Sequence, residues 1–356
     1  MKTIKKLGYL MLLTSGFLFL SCTSDPVPGP PGMDGADGLD GLDGADGVDG
    51  TTSCVSCHSV SHREPIEVAW ADSPHSTGTS WERGTSASCA RCHNNEGFID
   101  YMSSLFIDSL GFATADPEGY NISNPITCTG CHDSHRSFDF ENDGNDYAVR
   151  SLAPVDLFIG PSVQIDIRNN SDELGRSNLC VNCHQPRDSY EIPGPTADYE
   201  ITSSRFGPHN GPQGTVLEGI MGANIAGSAA YPGVGSAGHR QGASCIACHM
   251  GETTDGSDGG HTWIPTENTC ITCHSNGPPA EVSGFAGDLA RLRELLIAAG
   301  AITESGSAVP GTYSPQVAQA VWNYRTLEAD GSQGVHNPNY AKALLKNSIE
   351  ALENLP

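Results

Sequence analysis

Basic side chains are scarce in this chain of 356 residues, which holds 18 lysines and arginines against 42 aspartates and glutamates. The formal net charge of −24 would repel phosphate backbones, so nucleic-acid binding is disfavoured. Positively charged surfaces and cations are favoured as partners. An acidic surface that merely keeps the protein hydrated fits the same charge equally well.

The N-terminal apolar run is too short to span a membrane stably. Three lysines within the first six residues precede it, and it continues through Leu20, which is the pattern of an export signal over residues 1–21. It ends at Ser21 and Cys22 and resembles a bacterial lipobox, although Phe19 is atypical at the first position. We expect cleavage before Cys22 and lipidation of that cysteine. The alternative is a plain secretory signal that leaves an unmodified thiol.

A glycine repeat follows the predicted cleavage point. Glycine stands at every third position from Gly29 to Gly50, which is the period of the collagen triple helix. Proline occurs only near its start, and the many aspartates repel one another, so we favour a hydrated, extended tether over a triple helix. Residues 22–53 are therefore predicted to form a lipidated tether.

No cysteine beyond Cys22 falls outside one repeated motif. The other twelve cysteines form six Cys-x-x-Cys-His segments, numbered here as the first to the sixth site. These sites are Cys54, Cys57 and His58; Cys89, Cys92 and His93; Cys128, Cys131 and His132; Cys180, Cys183 and His184; Cys245, Cys248 and His249; and Cys270, Cys273 and His274.

Such a segment is the attachment signature of a c-type haem. Two cysteines three positions apart lie along one edge of a helical turn, where both thiols can form thioethers to one porphyrin. The following histidine then lies beneath the ring as the proximal iron ligand. Zinc ribbons and disulfides are the alternatives, but neither requires a histidine after every second cysteine or the same two-residue gap six times. The sequence therefore predicts six covalent haems.

The spacing of these sites predicts the fold class. Six attachment sites between residues 54 and 280 leave little chain for an ordinary apolar core, and a hydrophobic content of 37% agrees. We expect a mostly α and irregular fold in which porphyrins supply the missing apolar surface. Alternation from Val163 to Ile167 predicts a short β element near residues 155–168.

Residues 281–356 have a different character and predict three helices. Leucines recur at helical spacing between Phe285 and Ala299. Ser314 followed by proline, and Asn337 followed by proline, predict the starts of two further helices. These helices either close over the last haems or form a subunit contact.

Seven histidines lie outside the attachment motifs, and any one of them could simply face solvent. They are His62, His75, His135, His209, His239, His261 and His336. His135 follows His132 on the same helical turn, so it cannot easily reach its own haem and can serve a neighbour.

Several of these histidines lie in segments that resemble those of multihaem c-type cytochromes. The segments are SPH at His75, CHDSH at His132 to His135, GPHNGPQ at His209, GHTWIP from His261 and GVHNPNYAKALL from His336. The group includes the cytochrome c554, pentahaem nitrite reductase and octahaem reductase relatives. The resemblance implies that His75, His135, His209, His239, His261 and His336 are distal iron ligands, and it leaves His62 over.

The absence of lysine at the end of every site bears on activity. Pentahaem nitrite reductases carry such a lysine at their catalytic haem, and none of the six sites here does. With two histidines on every iron, no position is open for a substrate. We therefore expect an exported outer-membrane lipoprotein that transfers electrons to other redox proteins or extracellular acceptors. The alternatives are a reductase of a nitrogen or sulfur oxyanion and a subunit of a conductive filament.

Overall fold

The first cysteine of every predicted attachment site lies on a short helix in a computed structural model of the chain. The structure describes residues 52–355 except 110, 140, 141, 143, 144, 254, 255 and 280. The predicted export signal, Cys22 and the glycine repeat lie outside the described residues. Within the described part, no helix is long and apolar enough to cross a membrane.

The helices within the described ranges are mostly short. In chain order the α-helices are α1 Thr52–His58, α2 Val60–Asp72, α3 Pro74–Thr77, α4 Ala87–His93, α5 Asn95–Met102, α6 Cys128–Cys131, α7 Asn178–Val181, α8 Gln213–Glu218, α9 Gly238–Gly242, α10 Cys245–His249, α11 Glu267–Ile271, α12 Phe285–Ala298, α13 Pro315–Asp330 and α14 Pro338–Glu353. Two 3-10 helices lie at Ser80–Arg83 and Gly260–Thr262.

The strands of the described part form three antiparallel pairs. They are β1 Phe106–Ile107 with β2 Ala113–Thr114, β3 Val155–Leu157 with β4 Gly160–Ile165, and β5 Tyr199–Ile201 with β6 Gly311–Tyr313. The β3–β4 hairpin is the β element expected near residues 155–168. The mostly helical and irregular fold class predicted from the sequence is confirmed.

The last three helices pack on one another around a conventional apolar core. Leu292 and Leu296 of α12, Val321 and Trp322 of α13 and Leu344 of α14 are all fully or almost fully buried. Burial of such side chains contributes about 1.5–3 kcal/mol each. The C-terminal helices are therefore stabilised by ordinary hydrophobic packing.

The region that carries the attachment sites also contains a small apolar cluster of its own. Leu157, Ile165 and Ile167 at the β3–β4 hairpin pack with Val181 of α7. The expectation that this region holds no ordinary apolar packing is too strict. Residues alternate along the hairpin, so one face can be buried without a long hydrophobic segment.

The two predicted helix starts differ in how they are capped. The Asn337 side chain accepts a hydrogen bond from the backbone N–H of Tyr340, as an N-cap should. Ser314 precedes α13 at the expected position, but its hydroxyl makes no capping bond, and it is buried without a partner in the part of the chain that the structure describes. Proline at the first helical position therefore marks the start of α13 without help from the serine side chain.

Candidate haem centres

Each of the six motif histidines lies beside one histidine from the predicted distal set. The ring centres are separated by similar distances in all six cases, and no histidine is used twice. The pairs are His58–His135 at 6.1 Å, His93–His209 at 6.0 Å, His132–His261 at 6.2 Å, His184–His75 at 6.3 Å, His249–His336 at 6.3 Å and His274–His239 at 6.2 Å.

These separations match two imidazoles bound to opposite sides of one metal ion. A ligating imidazole nitrogen lies about 2.0–2.1 Å from a metal, which puts the centres of two such rings about 6 Å apart. Direct packing of the same rings would allow shorter and more varied distances. The uniform spacing therefore fits an iron between the two rings of each pair.

The pairs join distant parts of the chain. His239 lies a few residues before the fifth site, yet it pairs with His274 of the sixth. His261 precedes the sixth site and pairs with His132 of the third. The remaining histidine, His62, is exposed on α2. The structure thus brings together the residues of the predicted ligand set and leaves His62 outside the pairs.

Backbone carbonyls orient several of these imidazoles. The Nδ1–H groups of His132, His239 and His249 each donate to a carbonyl oxygen, at 2.8, 2.5 and 2.8 Å. A carbonyl only accepts, so Nδ1 carries the proton and Nε2 is the nitrogen left for a metal. The acceptors are the carbonyls of Tyr147, Val335 and Trp263 respectively.

Side chains provide the same support at three other histidines. His184 Nδ1 lies 3.2 Å from Gln213 Oε1, His135 Nδ1 lies 3.4 Å from Asp146 Oδ1, and His336 Nδ1 lies 2.6 Å from Asp330 Oδ1. Partners of this kind hold the ring orientation and raise the basicity of a ligating imidazole. Gln213 ends the GPHNGPQ segment, but the sequence analysis assigned no role to its side chain, and Asp330 lies outside every segment singled out there.

Burial keeps three of the predicted distal ligands neutral. It lowers the pKa of His75 to about 4, with further lowering from the nearby His184 and His249. The pKa values of His209 and His261 are likewise lowered to about 4, again mainly by burial. Neutral imidazole is the form that binds a metal.

Apolar side chains near the histidine pairs fit the faces of a porphyrin. Several large hydrophobic residues are exposed within three positions of a predicted ligand or attachment cysteine. They are Val55, Val60, Phe138, Ile264, Ile271 and Val335. Val60 and Phe138 are 74% and 79% exposed, so a haem held by the adjacent histidines has apolar surface to cover.

An arginine beside the second site fits the propionates of a haem. Arg187 Nε is buried and has no hydrogen-bond partner among the described residues. Burial lowers the pKa of His93 and that of His209. The positive charge of Arg187 is the second largest cause of the lowering at both histidines. The guanidinium therefore lies near both rings of that pair, where an anionic group would satisfy it.

Neighbouring attachment sites contact one another. The Cys92 side chain lies close to that of Cys183, and the Cys180 side chain lies close to that of Cys245. Each of the first two also faces the other motif, with Cys92 Sγ 3.9 Å from the carbonyl of Asn182 and Cys183 Sγ 4.0 Å from that of Arg91. The second, fourth and fifth sites are thus directly adjacent.

Further contacts bring the other sites into the same array. Thr269 Oγ1 donates to the carbonyl of Ala247 at 2.9 Å, which joins the sixth site to the fifth. His132 of the third site and His135, the partner of His58, lie three positions apart and so place the first site next to the third. The third site joins the others through His261, the partner of His132. The His261 ring contacts Trp263, whose carbonyl accepts a hydrogen bond from His249 of the fifth site. Within the described residues, the six pairs therefore form one continuous set.

Repeated attachment motifs and paired histidines of this kind are features of multihaem c-type cytochromes. No family model matches the sequence. The chain is 24% identical over 244 residues to the C-type polyheme cytochrome OmcB from two strains of Geobacter sulfurreducens. The matched region covers 58% of this chain and 30% of OmcB, so the chain spans less than a third of that relative. This similarity supports covalently bound c-type haems in the present chain.

A solved structure also resembles the chain. The crystal structure of the outer cell wall cytochrome OcwA superposes with a TM-score of 0.48 at 19% sequence identity. The superposition covers 81% of this chain and 50% of OcwA.

Proposed function

We propose that this protein is an exported hexahaem c-type cytochrome that transfers electrons outside the cytoplasm, with two histidines on every iron. The one-to-one pairing of six motif histidines with six others is the observation that carries the proposal. Each pair has the ring separation that a shared metal requires, and each lies beside two cysteines at the attachment spacing.

The residues of each site follow from the pairs. Cys54, Cys57, His58 and His135 would hold the first haem; Cys89, Cys92, His93 and His209 the second; Cys128, Cys131, His132 and His261 the third; Cys180, Cys183, His184 and His75 the fourth; Cys245, Cys248, His249 and His336 the fifth; and Cys270, Cys273, His274 and His239 the sixth.

A bound haem supplies an iron that cycles between ferric and ferrous states. The protein chain supplies the iron ligands and sets the distances between sites. Its paired histidines would hold the haem iron, and keeping the same two imidazoles as ligands would keep structural change on electron transfer small. Contacts such as those between Cys92 and Cys183, and between Cys180 and Cys245, keep adjacent sites close together. Close spacing is what electron exchange between sites needs.

The pairing favours a carrier over a reductase. A reductase of a nitrogen or sulfur oxyanion needs an iron with an open position, and each predicted proximal histidine lies opposite a second imidazole. The acidic surface favours basic redox proteins or positively charged mineral surfaces as partners. Lipidation at Cys22, with residues 22–53 as a tether, would hold residues 54–356 at the outer membrane.

Electron paramagnetic resonance (EPR) of the oxidised protein tests this proposal directly. Protein from a host competent in c-type maturation should have the mass of its mature polypeptide plus six haems and the lipid on Cys22. Its low-temperature spectrum should show only low-spin ferric haem, unchanged by nitrite. A mass with fewer haems would overturn the count. A high-spin signal that nitrite alters, or rapid reduction of nitrite by the protein, would instead establish the reductase.

A further inference from the structure

Trp263 contacts one member of each of three different histidine pairs. Its ring centre lies 4.4 Å from that of His75 and 5.5 Å from that of His261, with both contacts edge-on at 81° and 72°. Its backbone carbonyl accepts the Nδ1–H of His249 at 2.8 Å. Trp263 therefore lies where the third, fourth and fifth sites meet.

The local backbone directs the indole ring of Trp263 toward His75 and His261 and its carbonyl oxygen toward His249. The residue follows the 3-10 helix Gly260–Thr262 and has a φ of 56°, in the left-handed region that a bulky side chain rarely adopts. The turn is closed by a hydrogen bond from the Gly259 N–H to the Ile264 carbonyl at 2.8 Å. Thr262 Oγ1 adds a second bond, to the Gly259 carbonyl at 2.7 Å. Such strain persists only where the surrounding structure holds it, and it is frequent at functional sites.

We propose that Trp263 is a positioning residue shared by three haem sites. Its indole restrains the ring planes of His75 and His261, and its carbonyl fixes the plane and tautomer of His249. The orientation and hydrogen bonding of axial imidazoles tune the iron they bind. The inference rests on the proposed bis-histidine ligation. It makes one residue responsible for the orientation of a histidine ligand at each of the third, fourth and fifth haems.

Three variants of the full-length, haem-loaded protein change the ring of Trp263 and leave its backbone carbonyl in place. Trp263→Leu removes the indole, whereas Trp263→Phe keeps an aromatic edge for His75 and His261. Trp263→Gly removes the ring but keeps the carbonyl and accommodates the positive φ without strain. Trp81→Leu is the matched control, because Trp81 is a half-buried tryptophan in the 3-10 helix Ser80–Arg83.

The readouts are the low-spin EPR signals and the midpoint potentials of the individual haems. The signals of the third, fourth and fifth haems are assigned from His261→Ala, His75→Ala and His336→Ala, each of which should convert one low-spin signal to high-spin. In Trp263→Leu, all six haems should stay attached and low-spin while the third and fourth signals shift. Trp263→Phe should restore both signals toward the wild type.

The fifth haem distinguishes ring from carbonyl, because every variant keeps the carbonyl that His249 contacts. In Trp263→Gly, the third and fourth signals should shift as in Trp263→Leu, whereas the fifth should stay at its wild-type position. Wild-type signals and potentials in both Trp263→Leu and Trp263→Phe would overturn the inference, as would shifts no larger than those of Trp81→Leu. If Trp263→Leu does not mature, the Trp263→Phe and Trp263→Gly spectra decide. Failure of the proposed function is distinct, because the wild-type protein would then lack six low-spin haems.

Discussion

The Asp330 carboxylate lies 2.6 Å from Nδ1 of His336 and is almost completely buried, with 1% of its side chain exposed. Asp330 is the last residue of α13, and His336 follows the short loop that leads to α14. Burial lowers the pKa of His336, but the hydrogen bond to Asp330 and its negative charge outweigh that effect and raise it. The carboxylate thus makes His336 a stronger electron donor than a ring that faces a carbonyl.

Asp330→Asn should raise the midpoint potential of one haem while all six stay low-spin. An anionic partner on the distal imidazole stabilises ferric iron, so its loss favours the ferrous form. A tenfold change in that preference appears as a shift of about 59 mV for one electron. Spectroelectrochemical titration measures the potentials. The exposed Asp198→Asn is the control, and an unchanged or lowered potential in Asp330→Asn would contradict the prediction.

His336→Ala should open one iron and leave six haems covalently attached, because attachment depends on the cysteines. The mass should fall only by the side-chain difference. One ferric haem should become high-spin and bind cyanide, and its ferrous form should bind carbon monoxide. Added imidazole should restore the low-spin spectrum by filling the open position. If all haems remain low-spin without added imidazole, His336 is not a ligand.

His62 and His75 provide a paired test of the ligand set. His62 is exposed on α2, whereas His75 lies opposite His184. We expect His62→Ala to leave every haem low-spin and His75→Ala to produce one high-spin haem, as read by low-temperature EPR. Each variant serves as the control for the other. The reverse result would require the two residues to exchange roles.

Cys22→Ala should release the protein from the membrane fraction without changing its haem content. The substitution removes the predicted lipidation site, and residues 22–53 carry no other apolar segment that could anchor the chain. Fractionation followed by haem staining measures both outcomes. Retention of Cys22→Ala in the membrane fraction would show that the lipobox interpretation is wrong.

Local sequence signals predicted much of the fold. Proline after Ser314 and after Asn337 marked the starts of α13 and α14, because a missing N–H and a fixed φ suit the first helical turn. Alternation predicted the hairpin at Val155–Ile165. The small apolar cluster around Leu157 was not anticipated, since it combines the hairpin with residues from a distant helix.

The residues of the candidate haem sites also differ in how far the sequence predicts them. Cys-x-x-Cys-His is a contiguous signal, because both thiols and the proximal imidazole must reach one porphyrin from a single helical turn. The sequence alone therefore predicts where haems attach, and its resemblance to known cytochromes supplied the list of distal histidines. Their assignment as ligands stays a prediction.

Only the tertiary structure decided which histidine faces which. His261 lies nearest the sixth site along the chain but pairs with His132, and His336 crosses from the C-terminal helices to His249. No sequence motif predicts that Trp263 contacts three histidine pairs. Axial pairing depends on how separate segments meet in space, and loops of many lengths can bring the same two imidazoles together at little difference in closure entropy. Spacing along the chain therefore carries almost no information about the partner.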